Sequence, residues 1–207
     1  MDLFSLKGKT ALIIGGSRGL GEGMATGLAL AGATVIVSSR RETDVTATAK
    51  KISEATGSRV EGRALDICSV ERIRSFVTDL AKEFGQIDIL INSAGLNVRK
   101  SCLDFEEEDW DRVQDVQLKY VFFMAQAVAR QMKEKKIAGK IINIGSLNSV
   151  LGLKNMVSYC AAKGGIVQMT KAMANEPGPM AFTQMPSAAS SLAIALVIWT
   201  IPPFAAQ

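Results

Sequence analysis

Tyr159 and Lys163 stand four positions apart, with small side chains between them and Gly164 and Gly165 behind. On a helix, positions i and i+4 share a face, with Cβ atoms about 5–6 Å apart. An ammonium beside a phenol favours the phenolate, because a nearby positive charge stabilises the charged form. The pair therefore has the types and spacing for proton transfer. Alone it is weak: a tyrosine and a lysine on a solvated helix face look the same. A second group with chemical potential lies near the start of the chain, where Gly15, Gly19 and Gly21 follow an apolar run and open a helical stretch. Glycines at such a turn let the backbone approach a pyrophosphate, and the helix N-terminus offers free N–H groups. At the end of the next apolar run come Ser39, Arg40 and Arg41, with no acid until Glu42, and Arg18 lies within the glycine turn. An acid at that place suits the ribose hydroxyl of NAD, whereas arginine matches a ribose 2′-phosphate. The residues favour NADP over NAD; two solvated surface arginines are the alternative.

These groups need a scaffold that alternates strands and helices. The runs 10–15, 33–39, 59–67, 87–95 and 139–146 read as strands, and residues 19–31, 42–56, 69–84, 106–133 and 156–175 show helical spacing. Short, nearly continuous apolar strands alternating with amphipathic helices predict an α/β fold, a parallel sheet covered on both faces. The chain of 207 residues is long enough for one domain with a sizeable core. It contains no histidine, which excludes Ser-His-Asp and Cys-His mechanisms and His-ligated metal sites in these residues. Cys68, Cys102 and Cys160 are widely spaced and odd in number, suggesting neither disulfides nor a zinc site, so no metal is expected. The net charge of +4 is scattered among acids, with no basic run interleaved with aromatics, so no nucleic-acid partner is expected. "MDLFSLKGKT" has no apolar signal region, and with the free cysteines this points to the cytoplasm.

The ordered motifs resemble the short-chain dehydrogenase/reductase family: the Gly15–Gly21 turn, "LDI" with Asp66, "NSAG" at 92–95, and Ser146 ahead of Tyr159 and Lys163 at that family's spacing. The resemblance covers roughly residues 5 to 176. It implies a Rossmann-like doubly wound sheet and an NAD(P)-dependent oxidoreductase that interconverts a secondary alcohol and a ketone by hydride transfer. By resemblance Tyr159 is the catalytic acid/base. Lys163 lowers its pKa and holds the nicotinamide ribose, and Ser146 hydrogen-bonds the substrate oxygen. The cofactor would be held by Gly15, Ser17, Arg18, Gly19, Leu20, Gly21, Ser39, Arg40, Asp66, Ile67, Asn92, Ala94 and Gly95 together with Tyr159 and Lys163. "NVRKSCLDFEEEDWDRV" and "GKIINIGS" are similar to the sugar-acid branch, such as gluconate 5-dehydrogenases. Arg99 and Lys100 would then meet a substrate carboxylate; a solvated basic pair is the equal alternative. Ketoacyl-carrier-protein reductases and other sugar or steroid dehydrogenases remain open. Relatives are commonly dimers or tetramers, so a homo-oligomer is expected.

Three departures stand out. Ile14 replaces a usual threonine. Gln117 stands where the family has the asparagine of a water-mediated proton relay, and Tyr120 replaces a small residue. The third and largest departure follows "TKAMANE". No charge occurs from Pro177 to Gln207, and the family's last strand and substrate-covering helices are not recognisable there. The chain accordingly divides into a dinucleotide-binding domain at 1–176, lacking the usual last strands and substrate-loop helices, and an uncharged apolar tail at 177–207. The run 188–201 reads as a buried strand or helix or a disordered end, and is short for a membrane anchor. Read from the last base of the Pro179 codon, residues 179–187 permit Tyr-Gly-Ile-His-Ala-Asn-Ala-Ile, close to the family's strand, which points to a shifted reading frame. A catalytically silent chain that binds a dinucleotide or a full-length relative is the alternative function.

Overall fold

The computed structural model describes residues 3–175, 181–184 and 196–200. Five strands form the expected parallel sheet: β1 (Thr10–Ile14), β2 (Thr34–Ser39), β3 (Val60–Ala64), β4 (Ile89–Asn92) and β5 (Lys140–Ile144). They alternate with α1 (Gly19–Leu30), α2 (Glu42–Thr56), α3 (Val70–Glu83), α4 (Glu107–Gln114), α5 (Tyr120–Glu134) and α6 (Val157–Ala174). The spatial order begins β3-β2-β1-β4-β5. The chain moves outward from β1 to β3, then crosses back to place β4 on the other side of β1. At that reversal the connections leaving β1 and β4 diverge, opening a crevice at the carboxyl ends of the strands.

The strands read as apolar runs because both faces are covered. Leu12 and Ile14 of β1 point into one core with Val77 and Leu80 of α3 and Met124 and Val128 of α5. Ala11 and Ile13 point into the other, with Ala25 and Ala29 of α1 and Val45 and Ile52 of α2. Alternate residues of one strand thus serve two different cores. At the opposite end from the crevice, the buried Asp88 carboxylate accepts from the Thr10 amide at 2.9 Å and from Lys9 Nζ at 3.0 Å. That carboxylate fastens the entry of β4 to the entry of β1.

Two further strands lie beyond β5. Leu196–Thr200 (β7) pairs antiparallel with β5, and Ala181–Gln184 (β6) pairs antiparallel with β7. The parallel part of the sheet therefore ends at β5, and its edge carries antiparallel strands. The rest of the 177–207 tail, and with it the expectation of a shifted frame, lies outside the described residues. Among the described residues no helix is long and apolar enough to cross a membrane.

Candidate active site

The crevice is a cleft of about 1450 Å³ running from the end of β2, over the glycine turn, to the start of α6. Its floor is the turn after β1. Gly15 and Gly19 take φ of 82° and 57°, the left-handed region that favours glycine. Space is as tight as conformation. A Cβ on Gly15 would stand 2.5 Å from the Ala94 amide nitrogen, and one on Gly21 would stand 2.1 Å from the Gly15 carbonyl. The turn is held from β2 as well, since the Gly15 and Gly16 amides both donate to the Ser38 carbonyl. Arg18 takes extended backbone as the cap of α1, with no side-chain hydrogen bond to the first turn. The first-turn amides are thus left without a capping side chain, and Ser17, Leu20 and Gly21 line the cleft beside them. This is a fitting cradle for a dinucleotide's phosphates: backbone donors, room made by missing Cβ atoms, and a positive dipole end.

At the β2 end the cleft is lined by Ser39, Arg40, Asp66 and Ile67. Arg41 is engaged with Asp44, Nη2 to Oδ2 at 2.6 Å. Among the described residues the Arg18 and Arg40 guanidinium groups make no ion pair or hydrogen bond, and both line the cleft. Asp66 accepts a hydrogen bond from the Cys68 amide at 3.3 Å, which folds residues 65–68 into a compact turn over the end of β3. Predicted as part of a strand from 59 to 67, this stretch leaves the sheet after Ala64.

At the other end α6 carries Tyr159 and Lys163 into the cleft on one helical face. Lys163 is 6 % exposed, and its ammonium donates to the Ile144 carbonyl at 2.7 Å and lies 5.7 Å from the Tyr159 ring centroid. Burial lowers its pKa from 10.5 to about 8. Two residues beyond β5, Ser146 caps the short helix Leu147–Ser149; its hydroxyl accepts from the Asn148 amide at 3.2 Å. Ser146, Tyr159, Lys163 and Gln117 all line the one cleft, alongside Ala94 and Gly95.

Gln117 sits in a π-helical turn, Asp115–Lys119, that joins α4 to α5. Such one-residue insertions re-aim a side chain and recur at functional sites. Its extra methylene lets Nε2 reach the Leu96 carbonyl at 2.6 Å, and Oε1 is buried with no partner among the described residues. The amide also presses on the "NSAG" segment, because a Cβ on Gly95 would lie 2.8 Å from Nε2. Glycine at 95 and glutamine at 117 thus fit each other.

Two groups of expected site residues are placed differently from the rest. Asn92 does not line the cleft. It is buried behind the wall, where its Nδ2 donates to Asn143 Oδ1 at 2.8 Å, and Asn143 in turn donates to Thr170 of α6 at 3.0 Å. Arg99 and Lys100 do not act as a pair: Arg99 lines the cleft, whereas Lys100 is bound to Asp109. The Asn92–Asn143–Thr170 chain escaped the sequence reading, although an asparagine inside "KIINI" is the polar break that could have marked it. Among the described residues no group of His, Cys, Asp or Glu could hold a metal ion.

Residues 9–184 match the short chain dehydrogenase family. The chain is 41 % identical over 176 residues to 2-dehydro-3-deoxy-D-gluconate 5-dehydrogenase of Escherichia coli, covering 85 % of this chain and 68 % of that enzyme. It is 38 % identical over 177 residues to gluconate 5-dehydrogenase of Gluconobacter oxydans, covering 86 % and 68 %. The crystal structure of a gluconate 5-dehydrogenase from Burkholderia cenocepacia in complex with NADP and tartrate superposes with a TM-score of 0.79 at 36 % identity, covering 84 % of this chain and 68 % of that one. A sheet with its switch point at β1 and β4, a glycine turn beneath a dinucleotide-sized cleft, and these matches lead to one conclusion: the chain belongs to the short-chain dehydrogenase family of oxidoreductases.

Proposed function

We propose that this chain is an NADP-dependent oxidoreductase that interconverts a secondary alcohol and a ketone on a sugar acid such as gluconate. The observation that carries the reading is the meeting, in one cleft, of the buried Lys163, Tyr159 and Ser146 with the glycine turn and with the Arg18 and Arg40 guanidiniums, unpaired among the described residues. Two guanidiniums without an acid partner suit a 2′-phosphate. When bound, the nicotinamide supplies or accepts the hydride.

The residues do the rest. In reduction the substrate carbonyl oxygen sits between the Ser146 and Tyr159 hydroxyls, which stabilise the developing negative charge. Tyr159 gives its proton to that oxygen as the C–H bond forms, leaving a phenolate. The Lys163 ammonium, fixed by the Ile144 carbonyl, stabilises that phenolate. Gln117 is placed to order a water through its unpartnered Oε1, which lies beneath the same cleft. Oxidation runs the same proton backwards.

The sugar-acid reading is supported by Arg99, exposed on the cleft and free of any ion pair among the described residues, and by relatives named for gluconate and its keto acids. The test is NADPH consumption with 5-keto-D-gluconate and with a matched polyol ketone lacking the carboxylate. Turnover that prefers the acid and loses that preference in Arg99→Ala supports the reading. Equal turnover of both ketones would remove the sugar-acid assignment.

A further inference from the structure

Tyr120 opens α5 in a place where its two ends touch two different parts of the cleft. Its backbone amide donates to the Asp115 carbonyl, closing the π-turn that carries Gln117. Its side chain reaches the turn beyond the end of β3, where its hydroxyl donates to the Cys68 carbonyl at 3.0 Å, and the Lys119 ammonium lies 5.1 Å from its ring centroid. Tyr120 is 7 % exposed and belongs to the same core as Leu65 and Ile67, the inward residues of the 65–68 turn. Between Tyr120, Ile67, Ile14 and Ala94 there remains a cavity of about 10 Å³, room for no more than one water.

Besides the packing of Leu65 and Ile67, few hydrogen bonds among the described residues hold the turn at 65–68. Its own Asp66 accepts from the Cys68 amide, and the Leu65 amide donates to the Ser39 carbonyl. Among the described residues, Tyr120 makes the one side-chain hydrogen bond that reaches this turn from another element. Asp66 and Cys68 are exposed on the cleft while the tyrosine that holds them is buried. A buried hydroxyl satisfied by a carbonyl is costly to disturb, so it fixes the carbonyl's position.

We infer that Tyr120 is a positioning residue for the adenine end of the cofactor cleft: it holds the 65–68 turn so that Asp66 and Ile67 meet the adenosine half of the dinucleotide. The inference rests on the NADP reading above and adds to it. In this chain a bulky tyrosine at the start of α5 reaches the adenosine pocket through its hydroxyl, while its link to the turn of Gln117 is made by the backbone alone.

The experiment separates the two halves of the cofactor. Binding of 2′,5′-ADP and of reduced nicotinamide mononucleotide is measured for the wild-type chain and for Tyr120→Phe, which keeps the ring and removes the hydroxyl. The expected result is 2′,5′-ADP binding weakened by about three- to ten-fold, the worth of one hydrogen bond, with mononucleotide binding unchanged. Combination with Asp66→Asn should be non-additive for 2′,5′-ADP. Tyr120→Met also removes the hydroxyl, fills part of the ring's space with a flexible apolar side chain, and carries the same comparison if the phenylalanine variant does not fold. Equal 2′,5′-ADP affinity in wild type and variant overturns the inference and leaves the cofactor reading standing. Equal weakening of both ligands overturns it too, because it marks a general loss of structure. A wild-type chain that does not bind 2′,5′-ADP overturns the NADP reading itself, and this inference with it.

Discussion

Deprotonating Lys163 by raising the pH should stabilise the ligand-free protein, and the size of the effect follows from its burial. The side chain is 6 % exposed, and its pKa falls from 10.5 to about 8 because burial penalises the ammonium. In the unfolded chain the group keeps its ordinary pKa, so between about pH 8 and 10.5 the unfolded state binds more protons than the folded one. Stability then rises with pH across that window. Below pH 8 both states are protonated and the folded state bears the full cost of the buried charge. At about 1.4 kcal/mol per pH unit, going from pH 7 to pH 10 relieves roughly 2–3 kcal/mol. The perturbation is Lys163→Met, and the assay is urea unfolding of both proteins at pH 7 and pH 10. Lys140, whose pKa burial also lowers, and Tyr120, whose pKa burial raises, titrate in both proteins and cancel in the difference. The wild type should gain roughly 2–3 kcal/mol on the methionine variant over that range. The absolute gap at one pH carries less meaning, because methionine also leaves the Ile144 carbonyl without its donor. A gap that stays constant from pH 7 to pH 10 would refute the reasoning: the lysine would not be a buried cation in the resting site.

Other predictions address the remaining parts of the cleft. Tyr159→Phe should lower kcat by about 10²–10⁴-fold, the range for loss of a general acid, while NADPH affinity, read by fluorescence titration, changes little. Arg40→Ala should weaken NADPH by about ten-fold or more, as loss of a charged hydrogen bond does, and leave NADH binding nearly unaltered. Gly95→Ala should reduce activity because its Cβ would lie 2.8 Å from the Gln117 amide. Shortening that side chain with Gln117→Asn in the same chain should recover part of the loss, and additive damage in the double variant would contradict the fit between the two positions.

Much of the scaffold could be read from the sequence because strands buried on both faces give unbroken apolar runs, and five of these appeared in order. The alternation of such runs with helical periodicity led to the parallel sheet, and the glycine turn after the first run located the cleft. Errors arose where another cause imitates a pattern. Leu65 and Ile67 alternate with exposed Asp66 and Cys68 as strand residues do, yet they are buried beneath a turn. Residues 106–133 keep helical spacing throughout, so the π-turn at Asp115–Lys119 is invisible: one extra residue shifts the phase without changing the composition. Arg99 and Lys100 look equivalent side by side, and only the fold brings Asp109 to one of them. Asn92 carries a motif position but faces inward, because its partner Asn143 lies on the adjacent strand in register with it. Tyr120 was visible as a departure from the family pattern, but its reach to Cys68 depends on how α5 crosses the turn after β3.

If the cleft between the glycine turn and α6 is an NADP site, it must discriminate between the two dinucleotides. Calorimetric titration of the purified chain with NADPH and with NADH tests it most directly. NADPH should bind saturably and at least about ten-fold tighter than NADH, in keeping with a charge-assisted contact to the 2′-phosphate. No heat of binding from either dinucleotide, or tighter binding of NADH, would contradict it.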